Sequence, residues 1–508
     1  MSRSATRAGS AGGVLAATCI STLVVNANTS AVSILLPAIS DDTGMSLETL
    51  QWAVTGYSLV GAAVIITSGS LGDVFGRRRI FQGGLLLFVA SCVLIALART
   101  GELVIAGRVI QGASGATILA CGLSLLTVGT AGDKQLRAVT LWGAAAAVGA
   151  AAGPLVGGVL VNLTGWQGLF WIDAAVAVGC MGITALMVEE SRDPDRSRSI
   201  DYAGTLLIAL TLMPLILGVS KSGGWGWWSP ATLGCFAVTL LAGYAFLQVE
   251  RRVEVPLLDL ALLRNRVLIG STIAILIGAG TINGLMYLLS LYFQDPSTLG
   301  FSPLEAGLAT LPATVGLVLT APVVPRLAQR IGARPTIVLG FAITTVGFVV
   351  VGFTQESWRY VAFLLPLIAI AVGMGLSNGP SSSGATASVP AAQVGEASGV
   401  SNMARYVGAA VATALAATIY ASVSANQQAD GASTAAALSA GIGAASWVMA
   451  GFSLVGVVMG AVFIARIRPG QGRNTLEDVL AAAASAAAVV HTVPPAPADD
   501  DTIASREP

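Results

Sequence analysis

Long apolar segments recur along almost the whole chain, and short polar breaks separate them. Each segment holds about 20 residues, the length that an α-helix needs to cross the hydrocarbon core of a bilayer. We therefore predict fourteen membrane-spanning helices, at about residues 12–37, 48–72, 80–98, 102–127, 138–161, 168–188, 202–220, 229–249, 267–293, 304–325, 335–353, 359–382, 397–422 and 443–465. Only 10% of the 508 residues are charged, against about 25% in a soluble protein.

The basic residues indicate how these helices are oriented in the membrane. With a cytoplasmic N-terminus, 21 of the 26 Lys and Arg residues fall in cytoplasmic segments, three in outer loops and two within spans. This bias follows the positive-inside rule and predicts that both termini are cytoplasmic. An odd number of helices would remove the asymmetry, which supports the count of fourteen.

A charged turn follows the second predicted helix, with the sequence Gly69-Ser-Leu71-Gly-Asp73-Val-Phe-Gly76-Arg77-Arg78-Arg79. A carboxylate four residues before an arginine, at the end of a span, is typical of a cytoplasmic hairpin. The turn resembles the G-x-L-x-D-x-x-G-R-R loop of the major facilitator superfamily, which it matches at Gly69, Leu71, Asp73, Gly76, Arg77 and Arg78. The resemblance implies an all-α membrane fold of two six-helix bundles, and a conformational-switch role for this loop in which Asp73 pairs with Arg77.

A second, weaker copy of this turn occurs about half the chain later, in Pro322…Arg326…Arg330-Ile-Gly332-Ala-Arg334. Such repeats are typical of transporters built from related halves. We predict a cytoplasmic N-terminus (1–11), a six-helix bundle (12–190), a linker region with two additional helices (191–266), a second six-helix bundle (267–466) and a cytoplasmic tail (467–508). The tail is polar and proline-rich, so we expect it to be disordered.

Glycines recur every four residues along the fifth predicted helix, at Gly149, Gly153 and Gly157. They share one helix face and permit close helix packing, while Pro154 interrupts the backbone hydrogen-bond ladder. Together with Gly158, they resemble the G-x-x-x-G-P-x-x-G-G signature of the antiporter branch of the superfamily. A helix that merely packs closely would explain the spaced glycines alone.

An arginine, Arg108, lies within the fourth predicted helix and is followed by Gln111, Gly112, Gly115 and Ala116. An ionised arginine inside a span is costly unless it faces a partner or an aqueous cavity. The segment resembles the R-x-x-Q-G-x-G-A pattern of the superfamily, with one additional residue before Gly115, and the resemblance implies a role in proton coupling. The alternative is that the side chain reaches the outer interface.

Further segments resemble one branch of the superfamily, the fourteen-helix drug:proton antiporters. They are Trp225-Gly-Trp227-Trp-Ser229-Pro230, Glu250-Arg251…Pro256-Leu257-Leu258-Asp-Leu260, Leu291-Tyr292-Phe-Gln294 and Ser302-Pro303-Leu304-Glu305-Ala306-Gly307. The first helix departs from that branch, because Asn28 stands where an acid is common. Asparagine cannot bind and release a proton near neutral pH.

One acid is gained where the branch commonly has asparagine, at Asp173 near the start of the sixth helix. We therefore put forward Asp173 as a carrier of the coupling proton. The alternative is a solvated carboxylate at the outer membrane surface.

Candidate residues for a substrate cavity are the polar and aromatic side chains of several predicted spans. They are Asn28, Gln51, Trp52, Tyr57, Gln111, Tyr287, Asn402 and Arg405. Asn402 and Arg405 lie three residues apart and share a helix face. Packing or interfacial roles for the aromatic residues, and cytoplasmic anchoring for Arg405, are the alternatives.

Several functional classes are excluded by the composition. Neither lysine, Lys134 or Lys221, follows a glycine, so no P-loop for ATP is present, and the single histidine lies in the tail. The five cysteines form no C-x-x-C pair. We expect no enzymatic activity, cofactor or metal.

The sequence thus predicts a monomeric transporter of the bacterial cytoplasmic membrane that exports small amphipathic compounds in exchange for protons. Its partners are the small-molecule substrate, protons and the lipid bilayer, without nucleic acid. The alternative is an exporter or facilitator of lipids or metabolites that is not coupled to protons. Because acids are scarce in the spans, neutral or monocationic compounds are more suitable substrates than polycations.

Overall fold

The computed structural model of the protein describes residues 11–127, 132–192, 201–253, 256–258, 260–320, 323–389 and 394–463. The predicted disordered tail, and the predicted N-terminal segment apart from Ala11, lie outside these residues. Within them the chain forms fourteen long helices: α1 (Ala11–Thr43), α2 (Trp52–Phe75), α3 (Arg77–Ala96), α4 (Gly101–Thr127), α5 (Gly132–Thr164), α6 (Gln167–Met187), α7 (Tyr202–Trp225), α8 (Pro230–Glu250), α9 (Arg266–Gln294), α10 (Pro303–Thr320), α11 (Ala333–Val351), α12 (Tyr360–Ala387), α13 (Val394–Ala429) and α14 (Thr434–Phe463). Three short helices, Leu47–Leu50, Leu262–Arg264 and Val323–Ile331, lie in connections.

The fourteen helices occupy the fourteen predicted positions. In the described part of the chain, thirteen of them are long and apolar enough to cross a membrane, and the other, α10, lies at the tenth predicted span. The ends differ from the prediction: α1 continues six residues further, through polar residues, until Gly44 adopts a φ of 68°. Hydropathy marks the apolar part of a helix, whereas a glycine in the left-handed region marks its end.

The tenth span also ends earlier than predicted. α10 stops at Thr320, and Val323–Ile331 forms a separate short helix that carries Arg326 and Arg330 of the second charged turn, while Arg334 lies in the first turn of α11. This short helix has a strongly amphipathic sequence, as expected for a segment that lies at an interface instead of crossing the bilayer.

The two halves of the chain repeat the same backbone feature. Gly76 precedes α3 with a φ of 114°, and Gly332 precedes α11 with a φ of 96°. A side chain at such a φ is strained, so each charged turn uses glycine to reverse the chain between two helices. The shared geometry agrees with the internal repeat that the sequence predicts.

The helices pack as two groups joined by a helical hairpin. α1 packs on α5 and α6, and α3 on α4 and α6, while α9 packs on α13 and α14, and α11 on α12 and α14. The hairpin of α7 and α8 lies between the groups, where α7 contacts both α2 and α13.

Several contacts between the two groups lie at one end of the molecule, the end predicted to face outside. There the Gln294 amide of α9 donates to the Ile34 carbonyl of α1 at 3.2 Å, and Ser290 donates to the Ser33 carbonyl. α5 packs on α10 at the same end. α2 packs on α13 over a longer stretch, from the pair Tyr57 and Tyr406 to the pair Ile66 and Gly399, which lies nearer the predicted cytoplasmic end. In the described residues, α4 and α12 form no comparable interface.

Candidate functional site

Arg108 lies in the interior of the first group of helices, and its side chain is 0% exposed. Its Nε donates to the carbonyl of Ala53 at 2.9 Å, and its Nη1 donates to Asn28 Oδ1 at 2.6 Å and to Gln111 Oε1. The guanidinium also lies over the ring of Tyr57, 4.3 Å from the centroid, a geometry that attracts a cation. The structure therefore does not place this side chain at the outer interface.

Asn28 joins this arginine to the only carboxylate that we proposed for proton coupling. Its Nδ2 donates to Asp173 Oδ2 at 2.6 Å while its Oδ1 accepts from Arg108. The amide orientation is fixed by chemistry, because a guanidinium only donates and a carboxylate accepts. Asp173 is 5% exposed, so the structure contradicts a solvated position at the membrane surface. Asn28, Arg108 and Asp173 form what we call the coupling triad.

The coupling triad is a buried charge pair with a neutral amide between its members. Among the described residues, Nη2 of Arg108 has no hydrogen-bond partner. An unsatisfied donor on a buried cation is costly, so a rearrangement that supplies an acceptor is favourable. Gln111, which accepts from Arg108, donates in turn from its Nε2 to Sγ of Cys92 at 3.0 Å.

The charged turn after α2 is more helical than the sequence suggests. Gly69 and Leu71 lie in the last turns of α2, Gly76 alone interrupts the helix, and α3 begins at Arg77. Arg77 contacts Asp73 through both Nε and Nη2 at 2.9 Å. The i,i+4 spacing brings the two charges together on adjoining helix ends.

Glu190, which the sequence analysis missed, caps the N-terminus of α3. Its Oε1 accepts from the backbone N–H of Arg78 at 3.1 Å, and its Oε2 lies 3.5 Å from Nε of Arg79. The next residue contributes as well, because the Ser191 carbonyl accepts from the N–H of Arg77 at 2.9 Å. A carboxylate at a helix N-terminus satisfies free N–H groups and the positive end of the dipole. The only signal in the sequence was an acidic pair following the sixth span.

The glycines of α5 face two different neighbours. A Cβ on Gly149 or Gly153 would collide with α1, at the carbonyls of Leu23 and Ala27. On the other side, a Cβ on Gly158 would lie 2.6 Å from the Pro303 carbonyl of α10. Gly157 faces Ala31 of α1, so three of the four glycines serve packing within one group and Gly158 serves contact between groups.

The structure gathers some of the cavity candidates around Arg108 and leaves others elsewhere. Asn28, Tyr57 and Gln111 contact the arginine directly. Gln51 is buried beside the short helix Leu47–Leu50, and Tyr287 is buried in the core where α9 meets α1. Trp52 packs against the apolar cluster formed by α2, α7 and α13.

The remaining two candidates lie on α13 in the second group. The side chain of Asn402 donates to the Ser398 carbonyl of its own helix at 3.1 Å. Arg405 donates from Nη1 to Asn378 Oδ1 at 3.2 Å and from Nη2 to Ser382 Oγ at 3.3 Å, both on α12. The adjacent Tyr406, also missed by the sequence analysis, faces Tyr57 of α2 with ring centroids 6.2 Å apart.

Comparison with known proteins identifies the family of this chain. The sequence profile of the Major Facilitator Superfamily matches residues 18–413. The chain belongs to this superfamily. It is similar to the multidrug efflux pump LfrA of Mycolicibacterium smegmatis, with 31% identity over 400 residues that cover 78% of this chain and 79% of the relative. It is also similar to the cephamycin export protein CmcT of Amycolatopsis lactamdurans, with 32% identity over 397 residues that cover 77% and 81%.

Solved structures agree on the fold. A crystal structure of an auto-inhibited peptide transporter of the POT family superimposes with a TM-score of 0.65 at 13% identity, covering 90% of this chain and 97% of that one. The predicted all-α major facilitator fold is confirmed, and so is the prediction of a multi-pass membrane transporter that is not an enzyme.

In this superfamily member, Gly76 is the position of the charged turn that tolerates a side chain least. Its φ of 114° is strained for other residues, and a Cβ would lie 2.6 Å from the carboxyl carbon of Glu190. We expect Gly76→Ala to cost about 1–3 kcal/mol in the unfolding free energy and to slow transport. Scanning fluorimetry of the purified protein and a transport assay measure the two effects.

Gly83→Ala is the matched control, because Gly83 lies outside the charged turn and nothing lies within 4 Å of its added Cβ in α3. It should leave both the melting temperature and the transport rate close to those of the native protein. Equal effects of the two substitutions would contradict the assigned role of Gly76.

Proposed function

We propose that the protein exports small amphipathic compounds across the bacterial cytoplasmic membrane in exchange for protons. The names of two relatives, a multidrug efflux pump and a cephamycin export protein, support export as the direction of transport. The coupling triad carries the proton part of the proposal. In the described residues, it holds a carboxylate inside the helix bundle beside a buried arginine.

The coupling triad links protonation to the charge of Arg108. Ionised Asp173 accepts a charge-assisted hydrogen bond from Asn28 and balances the arginine through the amide. When Asp173 takes up a proton, this balance is lost and the buried cation favours other acceptors. The same proton must leave before the original contacts return, so each cycle moves one proton with the conformational change.

Tyr57 connects the coupling triad to the other group of helices. The tyrosine ring lies against Arg108 on one side and faces Tyr406 of α13 at 6.2 Å on the other. A shift of the arginine therefore acts on the interface between α2 and α13. That interface must slide when the two groups move relative to each other.

The packing between the groups supports alternating access. α1 packs on α9, and α5 on α10, at the end that the basic residues predict to face outside. We propose that the structure is an inward-facing state, with both termini cytoplasmic, and that the bundles of 12–190 and 267–466 rock about a central site. We further propose that the protein works as a monomer.

Transport into proteoliposomes tests proton coupling. The purified protein is reconstituted in phosphatidylcholine vesicles, a pH gradient is imposed, and movement of N-phenyl-1-naphthylamine, a neutral fluorescent amphiphile, is followed. We expect gradient-dependent movement that stops when an uncoupler collapses the gradient. Movement at an unchanged rate after collapse would favour the uncoupled exporter of lipids or metabolites.

A further inference from the structure

The second arginine within a predicted span, Arg405, has a different environment from Arg108. Its two hydrogen bonds, to Asn378 and Ser382, go to neutral acceptors at 3.2 and 3.3 Å. Among the described residues, no Asp or Glu forms an ion pair with it. A guanidinium carries five N–H donors, and these two hydrogen bonds use two of them.

Arg108 and Arg405 differ in whether a carboxylate balances their charge. Arg108 is balanced by Asp173 through Asn28, which leaves the charge of Arg405 without a counter-charge in the described part of the membrane interior. An uncompensated cation inside a helix bundle is costly unless an anion joins it. The second group of helices thus offers a fixed positive charge that an anionic group of a bound molecule can balance.

Arg405 lies on α13 next to the face that contacts the other group of helices. Tyr406 faces α2 of the other group, and Arg405 is turned by about 100° from it, towards α12. Asn402 lies between these two directions on the helix. Both Asn402 and Arg405 are half-buried, so this face of α13 is not closed by packing.

We propose that Arg405, with Asn378 and Ser382, binds an anionic group of the transported molecule, such as a carboxylate or sulfonate. The proposal rests on the proposed export function and adds a substrate class to it: amphipathic anions. It reverses the preference for neutral or monocationic compounds that the scarcity of acids suggested. A planar guanidinium suits such a group because it can form two parallel hydrogen bonds with it.

Two dyes that differ by one sulfonate test this subsite. They are 8-anilinonaphthalene-1-sulfonate, an anion, and N-phenyl-1-naphthylamine, its neutral parent. Equilibrium binding is measured in phosphatidylcholine nanodiscs, with empty nanodiscs subtracted, so that anionic lipid is absent and transport is not required. Uptake of both dyes into inverted vesicles is measured in parallel.

Arg405→Gln should weaken binding of the sulfonated dye by about tenfold or more, and change binding of the neutral dye by less than about twofold. Arg405→Lys keeps the charge and should restore part of the affinity for the anion. Arg359→Gln, at an exposed arginine before α12, is the matched control and should change neither.

An equal loss of affinity for both dyes in Arg405→Gln would overturn the proposed anion subsite. Arg405 would then serve to hold α12 against α13. Absence of any preference of the native protein for the sulfonated dye would overturn it as well. A failure of the neutral dye to move in energised vesicles would instead count against the proposed export, because the binding comparison stands without transport.

Discussion

Replacing Asp173 by Asn is expected to abolish pH-gradient-driven export while leaving substrate binding intact. Asparagine keeps the size of the side chain and an acceptor for Asn28, whose Nδ2 lies 2.6 Å from the carboxylate. It cannot take up a proton, so the cycle loses its coupled step. We expect the gradient-driven rate to fall by about two orders of magnitude, the scale of about 2.7 kcal/mol.

The measurement is dye transport in proteoliposomes with and without a pH gradient, beside equilibrium binding of the same dye. Asp41→Asn is the matched control, because Asp41 is an exposed acid at the end of α1. It should transport at the native rate. Retained gradient dependence in Asp173→Asn would remove this residue as the proton carrier.

The geometry of the coupling triad also predicts that a second substitution restores transport to the Asp173→Asn variant. Asn28 Oδ1 already accepts from Arg108 at 2.6 Å, so Asn28→Asp would place a carboxylate directly against the guanidinium. Combined with Asp173→Asn, it moves the acid across one hydrogen bond and keeps a single buried carboxylate. We expect the double variant to recover part of the gradient-driven rate. A double variant as inactive as Asp173→Asn would show that the carboxylate must occupy residue 173.

The coupling triad shows what the sequence could and could not predict. The loss of an acid at residue 28 and the gain of one at residue 173 were visible in the sequence. Their hydrogen bond was not, because the two positions are 145 residues apart. In addition, the polar residues Asn26 and Thr29 lie on a different face of the first helix from Asn28. Polarity alone does not identify the face that contacts a buried partner.

The helices were predictable for a simpler reason. A bilayer requires about 20 apolar residues per crossing, and this requirement appears directly in the sequence. Their ends were less predictable, because α1 continues through Asp41 and Asp42 to Thr43, where polar side chains reach the interface. Glu190 escaped the sequence analysis for a related reason: its role at the start of α3 depends on the packing of α6 beside α3.

The glycines of α5 illustrate the same limit. The spacing of Gly149, Gly153 and Gly157 predicted one closely packed face, and the structure places that face on α1. The neighbouring Gly158 looked like part of the same motif. Only the fold shows that it contacts α10, in the other group of helices.

Because Gly158 contacts the other group of helices, we predict that Gly158→Leu impairs the conformational cycle without unfolding the protein. A Cβ at Gly158 would lie 2.6 Å from the Pro303 carbonyl, and across the same contact a Cβ at Gly307 would lie 2.5 Å from the Pro154 carbonyl. The two groups therefore meet backbone to backbone at the predicted outer end. A leucine there forces them apart and disfavours the state closed at that end.

Cysteine labelling measures this shift. Ser290 is buried in the neighbouring contact between α9 and α1, so Ser290→Cys, with the native cysteines replaced by serine, should react slowly with a membrane-impermeant maleimide added from outside. We expect Gly158→Leu to raise the labelling rate by about tenfold or more, as a population shift of about 1.4 kcal/mol requires. Transport should fall, while the melting temperature changes little.

Substitutions at two further glycines of α5 distinguish an effect on the conformational cycle from an effect on stability. Gly143→Leu introduces the same side chain where nothing lies within 4 Å of the added Cβ, so labelling and transport should both stay native. Gly153→Leu drives a side chain into the backbone of α1 and should lower the melting temperature, because that contact lies inside one group and is needed in every conformation. If Gly158→Leu were labelled as slowly as the native protein and still transported, the contact between α5 and α10 would have no part in closing the outer side.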